Sequence, residues 1–134
     1  YRIMADLVVT ISESVTINGA LRGSANSITV GSILDTFERV VTCPHTNTTT
    51  VATFATNVYD SAGAIDAQGV KYIRLTNLSA TYDIELAVVG AADDVMLAEA
   101  DTSPSFGTMA DLTSLQVRPT ASSDVEVEVF VATT

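Results

Sequence analysis

Short apolar–polar alternations, each closed by turn residues, recur roughly every 8–14 residues along this chain. A period of two sends successive side chains to opposite faces of an extended strand. No segment sustains the 3.6-residue period of an amphipathic helix over three turns, and no internal repeat of fixed length is present. Evenly spaced short strands with turn residues between them are the signature of an antiparallel sandwich or jelly roll. The expectation is therefore an all-β fold, a single antiparallel β-sandwich of jelly-roll type with about eight strands. It would span 1–134, with 1–6 as a flexible N-terminal segment. At 134 residues the chain can bury roughly two-thirds of its unfolded surface. Its 47% hydrophobic content and its abundance of Val and Thr suit pleated sheets.

The pattern places the elements. In "LVVTISESVTI" (7–17), Leu7, Val9 and Ile11 share a face that resumes at Val15 and Ile17, and Asn18-Gly19 then signals a two-residue hairpin turn. "GSILDTFERVVTCP" (31–44) reads as a helical turn leading into a strand that alternates Phe37, Arg39 and Val41 with Glu38, Val40 and Thr42, and Pro44 stops it. A Thr-rich strand is expected around 49–56, a loop over 59–69 and a short strand near 95–98. "VKYIRLTNL" (70–78) and "YDIELAVVG" (82–90) read as one hairpin, with Ile73, Leu75, Ile84, Leu86 and Val88 in the core. Lys71 and Arg74 would pair across it with Asp83 or Glu85. "LTSLQVRPT" (112–120) and "DVEVEVFV" (124–131) read as the last hairpin, across "ASS".

Charge and composition exclude several functions. The formal net charge is −10, and Arg2, Arg22, Arg39, Lys71, Arg74 and Arg118 form no cluster in sequence. A surface that tracks phosphates needs clustered cations, so neither nucleic acid nor an anionic membrane is an expected partner. Cys43 is the single cysteine, which rules out an internal disulfide and a thiolate metal site. No apolar run approaches the ~20 residues of a membrane-spanning helix. No signal peptide is visible, and "MADL" at 4–7 reads as a natural start, with Tyr1–Ile3 as residues ahead of it.

Candidate chemistry is sparse. His45 is the only histidine, and no G-x-S-x-G accompanies it, so it reads as a turn residue after Pro44. Asp93 and Asp94 lack EF-hand spacing, although Glu99 or Asp101 could join them in a loop cation site. "NGALRG" (18–23) has two glycines but no following helix, so it makes no phosphate cradle. No catalytic, cofactor or metal residues are assigned, and no cofactor is expected. In "SSDVEVEVFVATT" (122–134), valines at 125, 127, 129 and 131 face one way, and Asp124, Glu126 and Glu128 face the other. Those carboxylates read first as the solvated side of a strand. As an interaction surface, the candidates are Thr48, Thr49, Thr50 and Thr53, whose methyls can pack while hydroxyls bond, together with Glu126 and Glu128.

Four segments carry a family resemblance: "VTISESVTINGALRGSANSITVGSI" (9–33), "FERVVTCP" (37–44), "VKYIRLTNLSATYDIELAVVGAADD" (70–94) and "LTSLQVRPTASSDVEVEVFV" (112–131). The chain resembles the small all-β virion proteins of marine tailed bacteriophages, through strand and turn patterns rather than catalytic signatures. One departure is the short "ADTSPSFGTMA" (100–110), where a longer excursion would be expected, which puts any tip function in doubt. The resemblance implies a non-enzymatic virion structural protein, a capsid decoration or cement protein on the outside of the assembled shell. It also implies the major capsid protein or other virion proteins as partners, homo-oligomers with trimers favoured, and assembly in the host cytoplasm. The alternatives are a tail, fibre or knob component, or a carbohydrate-binding module using Tyr59, Tyr82 and Phe106. A glycan-cleaving enzyme would need two carboxylates in one cleft, such as Asp83 with Glu126.

Overall fold

The structure is a computed structural model that describes residues 4–56, 63–90, 94–107 and 112–134. The described residues form thirteen β-strands and no helix. They fall into two compact units, 1–34 and 35–134.

The first unit is one long antiparallel ribbon. β1 (Ala5–Ser12) pairs with β4 (Ala25–Ile33), and β2 (Val15–Ile17) pairs with β3 (Ala20–Arg22). The register set by Leu7 opposite Val30 continues unchanged to Ile17 opposite Ala20. The Glu13 N–H donates to the Ser24 carbonyl at 2.9 Å and bridges the two ladders. Asn18 and Gly19 form the tip with φ of 52° and 79°, the left-handed pair that a tight hairpin turn needs. Gly23 is required for another reason: at φ +116°, an added Cβ would lie 2.1 Å from the Glu13 carbonyl oxygen. Leu7, Val9, Ile11, Val15 and Ile17 share one face, with Ile28 and Val30 opposite them. The expected alternation is present, but it does not build a core. Ile11, Val15, Ile17 and Ile28 are each about half exposed, because a two-stranded ribbon has no second layer of its own. The helical turn expected near residue 31 is absent. β4 runs through it to Ile33, with Ser32 at φ 62° just before the break.

The second unit is the sandwich. β5 (Asp35–Cys43), β8 (Val70–Asn77), β11 (Ser105–Phe106) and β13 (Val125–Thr133) form one sheet, in the order β11-β8-β13-β5. β6 (Thr49–Ala55), β7 (Ile65–Asp66), β9 (Ile84–Val89), β10 (Asp94–Ala98) and β12 (Ser114–Pro119) form the other, in the order β10-β9-β12-β6-β7. Apart from the two-residue β7, which lies parallel to β6, every pairing is antiparallel. With β7 set aside, eight strands remain and successive ones mostly change sheets. The first strand lies beside the eighth, and the second beside the seventh. That is jelly-roll connectivity.

One apolar core fills the space between the sheets. Val125, Val127, Val129 and Val131 from β13 meet Ile73 and Leu75 on one side, and Leu86, Leu115, Val117 and Phe54 on the other. Buried residues mostly alternate with ones directed outward, as a sheet covered on a single face requires; Val51-Ala52 in β6 and Val131–Thr133 at the end of β13 are runs of consecutive buried residues. The core positions read from the alternation at 73, 75, 84, 86 and 88 are all buried.

Two expected hairpins are instead arches between sheets. β8 and β9 do not pair, and neither do β12 and β13; each couple has one member in each sheet. Strands joined through an arch and strands joined as a hairpin bury the same alternating face, so periodicity cannot separate them. "LSATYD" and "TASSD" lack the Asn-Gly pair that closes the ribbon at 18–19, but longer hairpin loops lack it too, so contacts distant in sequence decide the pairing.

Candidate functional site

The Thr and Glu candidates lie on different sheets. Thr49, Thr50 and Thr53 belong to β6, whereas Glu126 and Glu128 belong to β13, the strand between β8 and β5 in the other sheet. Thr48 precedes β6 and is exposed. Thr49 lies opposite the buried Val117 and its hydroxyl hydrogen-bonds the Cys43 thiol, so it belongs to the inner side. Thr50 is exposed and Thr53 half-buried, opposite Gln116 and Ser114. The six residues therefore form no single surface.

Glu126 is exposed, but Glu128 is engaged. Its Oε1 accepts from Arg74 Nη2 at 2.5 Å, and Arg74 Nη1 also donates to the Thr76 hydroxyl. The Arg74 guanidinium lies 5.7 Å from the Phe130 ring centroid, and Tyr72 meets that ring edge-on at 6.1 Å. The register explains the cluster: β13 places Glu128 opposite Thr76 and Phe130 opposite Arg74. Sequence reasoning gave Arg74 another partner because it joined β8 to β9.

Asn77 is the buried polar centre of the sandwich, at 2% exposure. Its Nδ2 lies 2.9 Å from the Tyr82 carbonyl and 3.2 Å from those of Ala98 and Glu99, while its Oδ1 accepts the Ser79 N–H at 3.0 Å. It ties the arch after β8 to the segment after β10. Nothing in "LTNLS" distinguished it from a turn asparagine.

His45 is exposed and holds Asp124. Its backbone N–H donates to Asp124 Oδ1, and its ring Nδ1 lies 3.1 Å from the same oxygen. These contacts hold the Asp124 carboxyl below its usual range, the side-chain bond first and the backbone bond second. Cys43 is fully buried, and desolvation pushes its thiol up against the opposing Thr49 hydrogen bond.

Recesses open on the described part of the sandwich. One of ≈ 420 Å³ is lined by Ala98, Glu99, Thr102, Ser103 and Pro104. Another of ≈ 410 Å³ lies where the start of β5 faces β7, with Phe37 and Ile65 in its wall. Asp35 and Asp66 border it, but each already accepts a nearby backbone N–H, from Thr36 at 2.8 Å and from Gln68 at 3.0 Å. Asp83 likewise accepts the Ala100 N–H at 2.9 Å. Among the described residues no three His, Cys, Asp or Glu side chains converge on a cation position. Tyr82 is 39% exposed, Phe106 packs against the core, and Tyr59 and Asp93 lie outside the described residues.

Charge divides unevenly between the units. Residues 1–34 carry Arg2 and Arg22 against Asp6 and Glu13 and are neutral, so the whole formal charge of −10 falls on 35–134.

A scan for protein families finds no match, and neither does a search of curated proteins. Among solved structures the chain is similar to one described as "Bacillus endospore appendages form a novel family of disulfide-linked pili". The two are 11% identical, the likeness covers 75% of this chain and 85% of that one, and the TM-score is 0.50. At that identity the likeness concerns the fold, a β-rich architecture shared with a pilus protein.

Proposed function

We propose that this chain is a non-enzymatic structural subunit of a larger protein assembly, namely a virion surface protein that decorates an assembled capsid. The observation that carries the reading is the ribbon 5–33. Ile11, Val15, Ile17, Leu21 and Ile28 are 46–74% exposed on a two-stranded element that cannot cover them itself. Exposed apolar surface that an element cannot cover itself marks an interaction site, and in a structural subunit the partner is another protein. Quantitative mass spectrometry of purified particles, relative to the major shell protein, tests it. A count in the hundreds would support decoration, and a few copies would move the chain to the tail or vertices. Absence from particles would overturn the virion reading.

A pilus-like fibre is the second reading, favoured by the jelly-roll likeness to a subunit of disulfide-linked pili. Cys43, the single cysteine, is fully buried, so any fibre of this chain would be held by noncovalent contacts. Electron microscopy of the concentrated chain separates the two: fibres formed by the chain alone support the second reading.

A further inference from the structure

We infer that the ribbon of one copy docks on the sandwich of a second copy, with β1 adding as a strand beside the free edge of β5. The inference rests on the structural-subunit reading and names its partner.

The surfaces that need covering are both in this chain. β5 is nine residues long and ends its sheet: β13 pairs with one side, and among the described residues no strand pairs with the other. A long open edge is a template for another strand. β1 is eight residues long and, among the described residues, pairs only with β4. The two strands also alternate alike. In β5, Phe37, Val41 and Cys43 turn toward the core, with the exposed Arg39 interrupting that face, while Glu38, Val40 and Thr42 are exposed on the other. In β1, Leu7, Val9 and Ile11 form the apolar face and Val8, Thr10 and Ser12 the other. An added β1 would continue the inner apolar face past Phe37, over the ≈ 410 Å³ recess beside β5. Strand addition supplies backbone hydrogen bonds, and the alternate side chains fill what lies beneath.

Charge does not select the partner: the ribbon is neutral, but it is joined to a sandwich of formal charge −10, so two copies repel at long range and their contact should strengthen as salt rises. A foreign partner that covered the ribbon would leave the β5 edge open. A second copy covers both, since each copy gives a ribbon and receives one. Such a head-to-tail contact closes into a ring, a trimer among the options, or continues as a filament.

The test uses the full chain in two sets, each variant carrying one added cysteine in addition to Cys43, mixed. One set carries Val8→Cys, Thr10→Cys or Ser12→Cys, and the other Glu38→Cys, Val40→Cys or Thr42→Cys. Cys43 is buried and competes poorly. After mild oxidation, disulfide-linked heterodimers are expected only for combinations that fit one strand register, and none with Thr50→Cys on the other sheet. Sedimentation over about a hundredfold range of concentration should show reversible association. Val9→Asp, which places a charge in the docked face, should weaken that association at least about tenfold and leave the sandwich's unfolding midpoint unchanged. A wild-type chain that stays monomeric throughout, or heterodimers without a common register, would overturn the inference. The two readings fail separately: a monomeric chain found in purified particles sinks ribbon exchange alone, whereas a self-associating chain absent from particles sinks the virion reading alone.

Discussion

Replacing Asn77 with alanine should be among the most damaging single changes to the sandwich. The Asn77 amide has two N–H groups facing three carbonyls, those of Tyr82, Ala98 and Glu99, so it donates about two full hydrogen bonds; its oxygen accepts a third from Ser79. At a net ~1 kcal/mol each, the loss is ~3 kcal/mol. Carbonyls left without a donor in a site where Asn77 is 2% exposed push the figure up, and water entering the vacated space brings it down. A loss of ~2–4 kcal/mol follows, a large share of a typical domain's stability. Urea unfolding followed by far-UV circular dichroism measures it, since the chain has no Trp. The midpoint should fall with little change in slope, because the surface exposed on unfolding is nearly the same. Asn77→Asp should be worse at neutral pH than in acid, as its carboxylate would face carbonyl oxygens and its protonated form could donate to one. A loss below ~1 kcal/mol for Asn77→Ala would refute the assignment of Asn77 as the tie between the two crossings.

Other outcomes follow from the same geometry. Val127→Ala, at a fully buried position between β5 and β8, should cost ~1–3 kcal/mol. Glu126→Ala, on the exposed face of the same strand, should cost less than ~1 kcal/mol in the same urea assay; equal large losses would mean the acidic face is covered. Because Asp124 has a lowered folded pKa, its contribution is present above the unfolded carboxylate value and is lost as pH falls through the folded one. Wild type should therefore lose more stability than Asp124→Asn between about pH 5 and pH 2, and parallel losses would count against the His45 contact. Cys43, buried with its thiol pKa raised, should resist iodoacetamide in the native chain and react readily in urea; equal rates would show that the strand end opens.

Alternation in the sequence was enough to assign the apolar strand faces to the core, though not the buried Asn77. Alternation is local: once a segment is extended, its side chains divide between two faces whatever it pairs with, and so Ile73, Leu75, Ile84, Leu86 and the valines of β13 could be assigned to the core. The turn at Asn18-Gly19 was legible for the same reason, since its left-handed backbone is set by two adjacent residues. Pairing is not local. Whether 78–83 folds back as a hairpin or crosses to the other sheet depends on Asn77 meeting carbonyls at Ala98 and Glu99, more than twenty residues away. That crossing decided that Arg74 meets Glu128, and it left the Thr and Glu candidates on separate sheets. The tertiary structure also decided the fate of Leu7, Val9, Ile11, Val15 and Ile17. Their pattern matches that of a core strand, yet they belong to a ribbon of only two strands, and an apolar face is buried only where a second layer lies against it.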